Sequence, residues 1–195
     1  MGGHAPQTQI NSKLLNQIKS KIFTPILKGM AKLGSPYSGI LYANIMLTPD
    51  GPKVLEFNCR SGDPETEIQM PLIENDLYQI LLVCATGKGQ MERLRFKKGY
   101  TAGVVLAAKG YPDSEKIVKG DRVFGLEKDV GPNIWVFHYA TKPNGSNLVT
   151  DGGRIIEVVV FHPESKEAAL KTAYAMIGEG GIHFKDMQYR KNLVY

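Results

Sequence analysis

Hydrophobic positions in the first third of the chain change from helical spacing to strand spacing. From Leu14 to Leu33 apolar residues recur every three or four positions with lysines between them, which predicts a helix capped by Asn11 or Ser12. Pro25 is expected to kink or divide this helix, because proline lacks the N–H group that an inner turn needs. Residues 1–11, by contrast, predict irregular structure, and the apolar runs 39–47 and 53–57 around TPDGP predict a hairpin.

The remainder of the chain shows a further helical pattern and then a series of short apolar runs. Residues 66–86 predict a helix despite Pro71, and the basic, glycine-containing segment 87–99 predicts a linker. The pattern beyond it is typical of an α+β fold, an antiparallel sheet packed by one helix. Strands are predicted at 102–110, 116–126, 134–141, 154–161 and 182–195, with the helix at 163–177.

Composition narrows the class of protein. The 195 residues are 43% hydrophobic and 22% charged, as in soluble globular proteins, and fit one domain or two small ones. The net charge of +5 comes without a dense lysine or arginine run, which favours a site for phosphorylated anions over a nucleic-acid surface. Cys59 and Cys84 have no metal or disulfide spacing, and the start of the chain has no signal-peptide pattern, so we expect a cytoplasmic protein that does not contact membrane.

The stretch KVLEFNCRSGDPE, residues 53–65, brings polar groups to the end of a predicted strand. Glu56 and Asn58 share one strand face, about 7 Å apart, and offer the hard oxygen atoms that Mg²⁺ prefers. Arg60, two residues further, is placed to contact an anion. The alternative is a surface carboxylate, Glu56, paired with Arg60. The turn Gly62-Asp63-Pro64 exposes backbone N–H groups, and Glu65 is expected at the start of the next helix, where its charge is favoured.

Several segments together resemble one family. GILYANIML, VLEFNCRSGDPETE, VVLAAKGYP, VFHYATK, VTDGGRIIEVVV and YRKN are similar, in this order, to segments of glycinamide ribonucleotide synthetase, an ATP-grasp ligase family of purine biosynthesis. The resemblance covers the whole chain but only the later part of the family protein. It implies the C-terminal part of an ATP-grasp module at 1–99, an antiparallel sheet with helices, and the family's small, mostly antiparallel C-terminal domain with a packed helix at 100–195. A polypeptide carrying the N-terminal and nucleotide-lid domains is the expected partner.

The resemblance also implies roles for individual residues. Glu56 and Asn58 would ligate the Mg²⁺ or Mn²⁺ that bridges the phosphates of ATP, and Arg60 would neutralise the transferred phosphoryl group. The substrates would be glycine and phosphoribosylamine, with Asp63 as a second catalytic residue. The turn Gly62, Asp63, Pro64 and Glu65 would contact the amine substrate. Arg190 and Lys191 either hold a 5′-phosphate or form a solvated basic tail.

Departures from the family pattern leave alternatives open. Asn44 stands where the family has glycine, and either adds an amide oxygen to the metal site or is a neutral change. Ser61 replaces the usual phenylalanine and removes an aromatic wall beside the turn. Gly152, Gly153 and Arg154 either bind phosphate through backbone N–H groups or form an ordinary hairpin turn. The alternative to a ligase part is a non-catalytic binding or assembly fragment that has lost the nucleotide lid.

Overall fold

The computed structural model describes residues 1–193 and divides the chain into two compact units, each built from separate stretches of sequence. The ribbon unit comprises Gln7–Gly62 and Ile73–Phe96. The sheet unit comprises Met1–Pro6, Asp63–Leu72 and the chain from Lys97 onward. The division at residue 99 into two family domains stays a prediction.

Within residues 1–193, eight strands and five α-helices make up these units. A π-helical turn, Lys19–Phe23, joins the first two helices, and a 3₁₀ turn, Met70–Leu72, follows the third. In chain order the elements are β1 (Gly2–Ala5), α1 (Ser12–Ile18), α2 (Thr24–Lys32), β2 (Tyr42–Thr48), β3 (Gly51–Asn58), α3 (Glu65–Gln69), α4 (Leu77–Thr86), β4 (Tyr100–Ala107), β5 (Ile134–His138), β6 (Thr141–Asn144), β7 (Asn147–Thr150), β8 (Arg154–His162) and α5 (Lys166–Ala175).

The helical segment at the start of the ribbon unit forms as predicted, with an irregularity just before Pro25. Asn11 caps α1, since its side chain accepts a hydrogen bond from the Leu14 N–H at 2.9 Å. Pro25 has no N–H to donate to the carbonyl four residues earlier. The preceding turn is widened instead, and the Thr24 N–H bonds to the carbonyl of Lys19. The proline therefore divides the helix through a π turn rather than ending it.

The predicted hairpin is the β2–β3 ribbon. Its strands are antiparallel and join through Pro49 and Asp50, with Thr48 opposite Gly51. Gly51 has a φ of +105°, a backbone conformation that favours glycine in this tight connection. The register places Asn44 opposite Glu56, and a bulge follows Asn44.

The single helix predicted at 66–86 is wrong. Pro71 falls in the 3₁₀ turn that ends α3 after one short stretch, because proline is poorly tolerated inside an α-helix. A new helix, α4, begins only at Leu77, where the Asp76 side chain caps it by accepting from the Tyr78 N–H at 2.9 Å. Gly87 ends α4 in the left-handed conformation.

An antiparallel four-stranded sheet in the order β1-β4-β8-β5 forms the centre of the sheet unit. It confirms the predicted α+β class with an antiparallel sheet in the second half of the chain. The expectation that residues 1–11 are irregular is wrong for Gly2–Ala5, which pair with Thr101–Val104 of β4 as an edge strand. The segment has two glycines and no long apolar run, so its sequence pattern does not predict a strand.

Side chains alternate across this sheet, so its two faces have different covers. On one face α5 packs against the main core, whose strand residues include Ala102, Val104, Leu106, Ile156, Val158 and Val160. On the other face α3 and the 3₁₀ turn cover Thr101, Gly103, Val105, Glu157 and Val159. This second face also contains an acidic residue, Glu157, which is buried among apolar neighbours.

Two further predicted strands do not form. Residues 116–126 make only single bridges, Arg122 to Val149 and Phe124 to His183, because Gly120 and Gly125 at φ +91° and +82° interrupt the extended backbone. The last predicted strand is also wrong within its described part, where Ile182, His183 and Gln188 each make a single isolated bridge. Residues 194 and 195 lie outside the described residues. No helix within residues 1–193 has the length and apolar character needed to cross a membrane.

Candidate functional site

Glu56 and Asn58 lie side by side on the ribbon unit. The Asn58 side-chain amide donates a hydrogen bond to Glu56 Oε1 at 3.2 Å, so both side chains occupy the same face of β3. Glu56 is exposed and Asn58 is half-buried. The two ends of an asparagine amide are nearly identical in shape, so a half-turn of the group replaces the N–H donor by an oxygen ligand. A carboxylate and an amide in this arrangement have the chemistry to hold a small hard cation such as Mg²⁺ or Mn²⁺.

Asn44 brings a third oxygen-bearing side chain to the same face. It stands directly opposite Glu56 on the neighbouring strand, and directly opposed residues of an antiparallel pair project to one side. Within residues 1–193, no three His, Cys, Asp or Glu side chains come together in a way that would hold a metal ion. A cation on this face would therefore need water or phosphate oxygens to complete its shell, and both interpretations of Asn44 remain open.

Arg60 does not pair with Glu56. Its guanidinium donates to the carbonyl of Ser61 at 2.9 Å and is exposed. Among the described side chains, the ion pair on which the surface-carboxylate alternative depends is therefore absent. An exposed guanidinium two residues beyond Asn58 has the charge to meet a phosphoryl oxygen.

Asp63 is the first residue of the turn that belongs to the sheet unit, and Arg154 anchors it there. The Arg154 guanidinium forms an ion pair with the Asp63 carboxylate at 2.5 Å and donates to the Asp63 carbonyl at 2.9 Å. Its Nε also donates to the hydroxyl of Tyr111 at 3.1 Å, and the guanidinium lies over that ring. Arg154 therefore fixes both the main chain and the side chain of Asp63 to the first residue of β8.

The contact between Arg154 and Asp63 joins positions 91 residues apart, which no local sequence pattern reports. Sequence reasoning considered Arg154 only for the N–H groups of its glycine turn. The rest of the turn is less accessible: Pro64 is buried, and Glu65 is half-buried as the first residue of α3. The roles of Gly62, Asp63, Pro64 and Glu65 toward an amine substrate stay predictions.

Arg190 and Lys191 are exposed residues of the irregular C-terminal segment. The Tyr174 hydroxyl of α5 donates to the Arg190 carbonyl at 2.7 Å and holds this segment to the sheet unit. Burial lowers the pKa of the Met1 amino group, and the charges of Arg190 and Arg154 lower it further. The charge of Arg190 thus reaches the same part of the sheet unit as Arg154, while both interpretations of Arg190 and Lys191 stay open.

Comparison with known proteins assigns the chain to a family. The family model described as phosphoribosylglycinamide synthetase, ATP-grasp (A) domain, matches residues 1–66. The model for the C domain of the same synthetase matches residues 101–194. The chain belongs to the phosphoribosylglycinamide synthetase family. The resemblance inferred from the sequence motifs is confirmed.

Relatives of known name and structure extend this result. The phosphoribosylamine–glycine ligase of Caldanaerobacter subterraneus subsp. tengcongensis is 39% identical over 99% of the chain and 45% of that protein. The trifunctional purine biosynthetic protein adenosine-3 of Gallus gallus is 39% identical over all of the chain and 19% of that protein. The crystal structure of the Thermotoga maritima phosphoribosylamine–glycine ligase superposes with a TM-score of 0.82 at 33% identity, covering 98% of the chain and 46% of that protein. The chain spans less than half the length of each.

Proposed function

We propose that this chain supplies the metal-binding and acceptor-substrate part of an ATP-dependent ligase, which joins glycine to 5-phosphoribosylamine and yields glycinamide ribonucleotide, ADP and phosphate. The proposal is supported by the family and by the names of relatives that match nearly all of the chain. The observation that carries it is the paired carboxylate and amide of Glu56 and Asn58 on one face of β3, directly before the Arg60 loop.

Glu56 and Asn58 are the proposed holders of Mg²⁺ or Mn²⁺. When bound, the cation would lend positive charge to the phosphates of ATP. Arg60 adds an exposed guanidinium whose N–H donors would meet the negative charge of the phosphoryl group in transfer. In that transfer a glycine carboxylate oxygen bonds to the γ-phosphorus and the bond to ADP breaks, which leaves glycyl phosphate.

Asp63 is the proposed contact for the acceptor amine. The amine nitrogen of phosphoribosylamine bonds to the carbonyl carbon of glycyl phosphate, phosphate leaves, and the nitrogen loses a proton. The half-exposed Asp63 carboxylate can accept a hydrogen bond from that amine or from a ribose hydroxyl, because Arg154 occupies only one side of it. Arg154 keeps the carboxylate in one orientation, which is how a positioned group contributes to rate. Arg190 and Lys191 are proposed to bind the 5′-phosphate, Arg190 through the parallel N–H donors of its guanidinium and Lys191 through its charge.

The proposal is tested by ADP release from the 195-residue chain with glycine, phosphoribosylamine and ATP, with and without a polypeptide carrying the parts of the relatives outside the matched region. We expect no product from the chain alone, since ATP-grasp enzymes clamp the nucleotide between two subdomains. Turnover that needs both substrates is expected when that polypeptide is added. Turnover by the chain alone, or none in the completed assembly, would contradict the proposal.

The surface of the ribbon unit favours an assembly role as the second candidate function. Many of its large apolar side chains are exposed, among them Met46, Leu55, Phe57, Tyr78 and Leu81 at 37% to 67%. Apolar surface of this kind is typical of protein contacts. Sedimentation velocity of the chain with the same polypeptide, combined with the ADP assay, separates the candidates, because an assembly fragment would associate without turnover. The proposed location is the cytoplasm, the compartment that the free thiols of Cys59 and Cys84 favour.

A further inference from the structure

Glu157 is fully buried in the middle of the sheet unit. It lies on β8 between Val105 of β4 and Phe137 of β5, and none of its surface is exposed. The Tyr139 hydroxyl donates to Glu157 Oε2 at 2.6 Å. The other oxygen, Oε1, is buried and has no hydrogen-bond partner among the described residues. A charged carboxylate in this position would be costly, because only one of its oxygens is compensated.

Helix α3 lies directly over this carboxyl group. Gly103 of β4 leaves the space for both, since a Cβ atom there would clash with Glu157 Oε1 and come within 2.6 Å of Ile68 Cγ1. The Thr101 hydroxyl donates to the Ile68 carbonyl at 2.6 Å and ties α3 to the same strand. The carboxyl group of Glu157 thus forms part of the surface on which α3 rests.

Charged and titratable groups surround Glu157 from several elements. The pKa of Glu157 is raised to about 8, mainly by burial. The Tyr139 hydrogen bond opposes this rise, and the charges of Glu67, Asp63 and Glu65 contribute to it. Glu67 Oε2 on α3 is itself buried without a hydrogen-bond partner among residues 1–193. The charged groups near this face also include the Arg154 guanidinium on β8 and the Met1 amino group beside β1, which the charge of Arg190 reaches as well. Strand β4 contributes uncharged residues.

We propose that Glu157 positions the Asp63–Glu65 turn by serving as an uncharged acid beneath α3. The turn is attached to β8 at two points: Arg154 holds Asp63, and three residues along the strand Glu157 supports the helix that begins at Glu65. An uncharged Glu157 tolerates burial against Ile68, whereas an ionised one would repel Glu67 of α3. The importance of the turn for substrates rests on the proposed function, but its attachment to the sheet does not.

Proton linkage gives this arrangement a distinctive pH dependence. The pKa of Glu157 is about 8 with α3 in place, above the ordinary value of 4.5. Between pH 4.5 and 8, Glu157 therefore holds a proton when α3 is in place and releases it when α3 opens. The contribution of Glu157 to the docking of α3 is therefore fully present below about pH 4.5 and is lost as the pH rises through about 8. Opening of α3 should become easier by up to about tenfold per pH unit in this window and level off above it.

Hydrogen exchange measured by NMR on the full chain tests the proposal. The reporter is the Met70 N–H, which donates to the Thr66 carbonyl at the end of α3. Its protection factor, corrected for the intrinsic exchange rate, should fall with pH between about 5 and 8 in the wild type and stay level in Glu157→Gln. The matched control Glu164→Gln, at an exposed position before α5, should keep the wild-type slope. An equal slope in Glu157→Gln would overturn the proposal.

A second variant keeps the test decisive if Glu157→Gln does not fold. Tyr139→Phe removes the hydrogen bond that favours the ionised form, so the midpoint of the ¹³C-detected titration of Glu157 should move to higher pH. The point at which the Met70 protection levels off should move with it. A midpoint that does not move overturns the proposal. Since neither readout requires turnover, an inactive assembly with a normal exchange profile would count against the proposed reaction alone.

Discussion

Replacing Arg154 by methionine should destabilise the sheet unit by about 2 kcal/mol. The side chain is only 27% exposed, and its loss leaves the Asp63 carboxylate, the Asp63 carbonyl and the Tyr111 hydroxyl without their donor. A half-exposed ion pair is screened by water and contributes about 1 kcal/mol or less. The hydrogen bond to the carbonyl adds about 1 kcal/mol, and water replaces much of the bond to Tyr111. Methionine preserves most of the packing volume, so the loss of stability reports mainly on the missing guanidinium.

Urea unfolding followed by tyrosine and tryptophan fluorescence measures this effect. With a slope of about 2 kcal/mol per molar urea, the midpoint should fall by about 1 M. Arg122→Met is the matched control, because Arg122 is exposed and its guanidinium lies over Phe124 at 4.7 Å. That contact is worth about 0.5 kcal/mol. If the two variants lose equal stability, or if Arg154→Met loses none, the argument that Arg154 fixes the Asp63 turn is refuted.

Three further predictions follow from the two units. Glu56→Gln should weaken Mn²⁺ binding to the ribbon unit, observed by electron paramagnetic resonance, whereas Asp50→Asn in the β2–β3 turn should not; equal affinities would argue against the metal pair. Gly103→Ala should cost at least about 2 kcal/mol in urea because of its clashes, while Gly180→Ala, which meets open space, should be neutral. In the completed assembly Glu56→Gln should lower kcat more than it changes the KM for glycine, and an unchanged kcat at saturating metal would contradict its role.

Local patterns in the sequence predicted the elements whose periodicity is undisturbed. The Asn11 cap, the β2–β3 hairpin and β8 all follow from spacing and turn residues within a few positions. The segment 116–126 has a similar apolar pattern, but its glycines adopt positive φ and break the strand, which spacing alone does not reveal. The edge strand β1 depends on a partner almost 100 residues away and has no pattern of its own.

The parts of the candidate site also differ in whether neighbouring residues or distant contacts determine them. Glu56 and Asn58 are two residues apart on one strand, so alternation was sufficient to place them together. Arg154 and Glu157 lie far along the chain from the turn that they support, since that turn and α3 are about 90 residues earlier. Glu157 gave no sequence signal beyond being one acid in an apolar strand, a position where burial usually demands a partner.

The pairing of β1 with β4 has a consequence for how the chain folds. All residues of the ribbon unit lie between the two paired segments, Gly2–Ala5 and Thr101–Val104. This pairing therefore closes a loop of nearly the whole first half of the chain. Closing so long a loop is entropically expensive and makes such contacts late events in folding. We expect the β4–β8–β5 sheet with α5 to form first, and β1 to join only once the intervening residues are compact. A nascent chain would then expose the edge of β4 until that moment, and an unpaired edge is the place where strands of other molecules add.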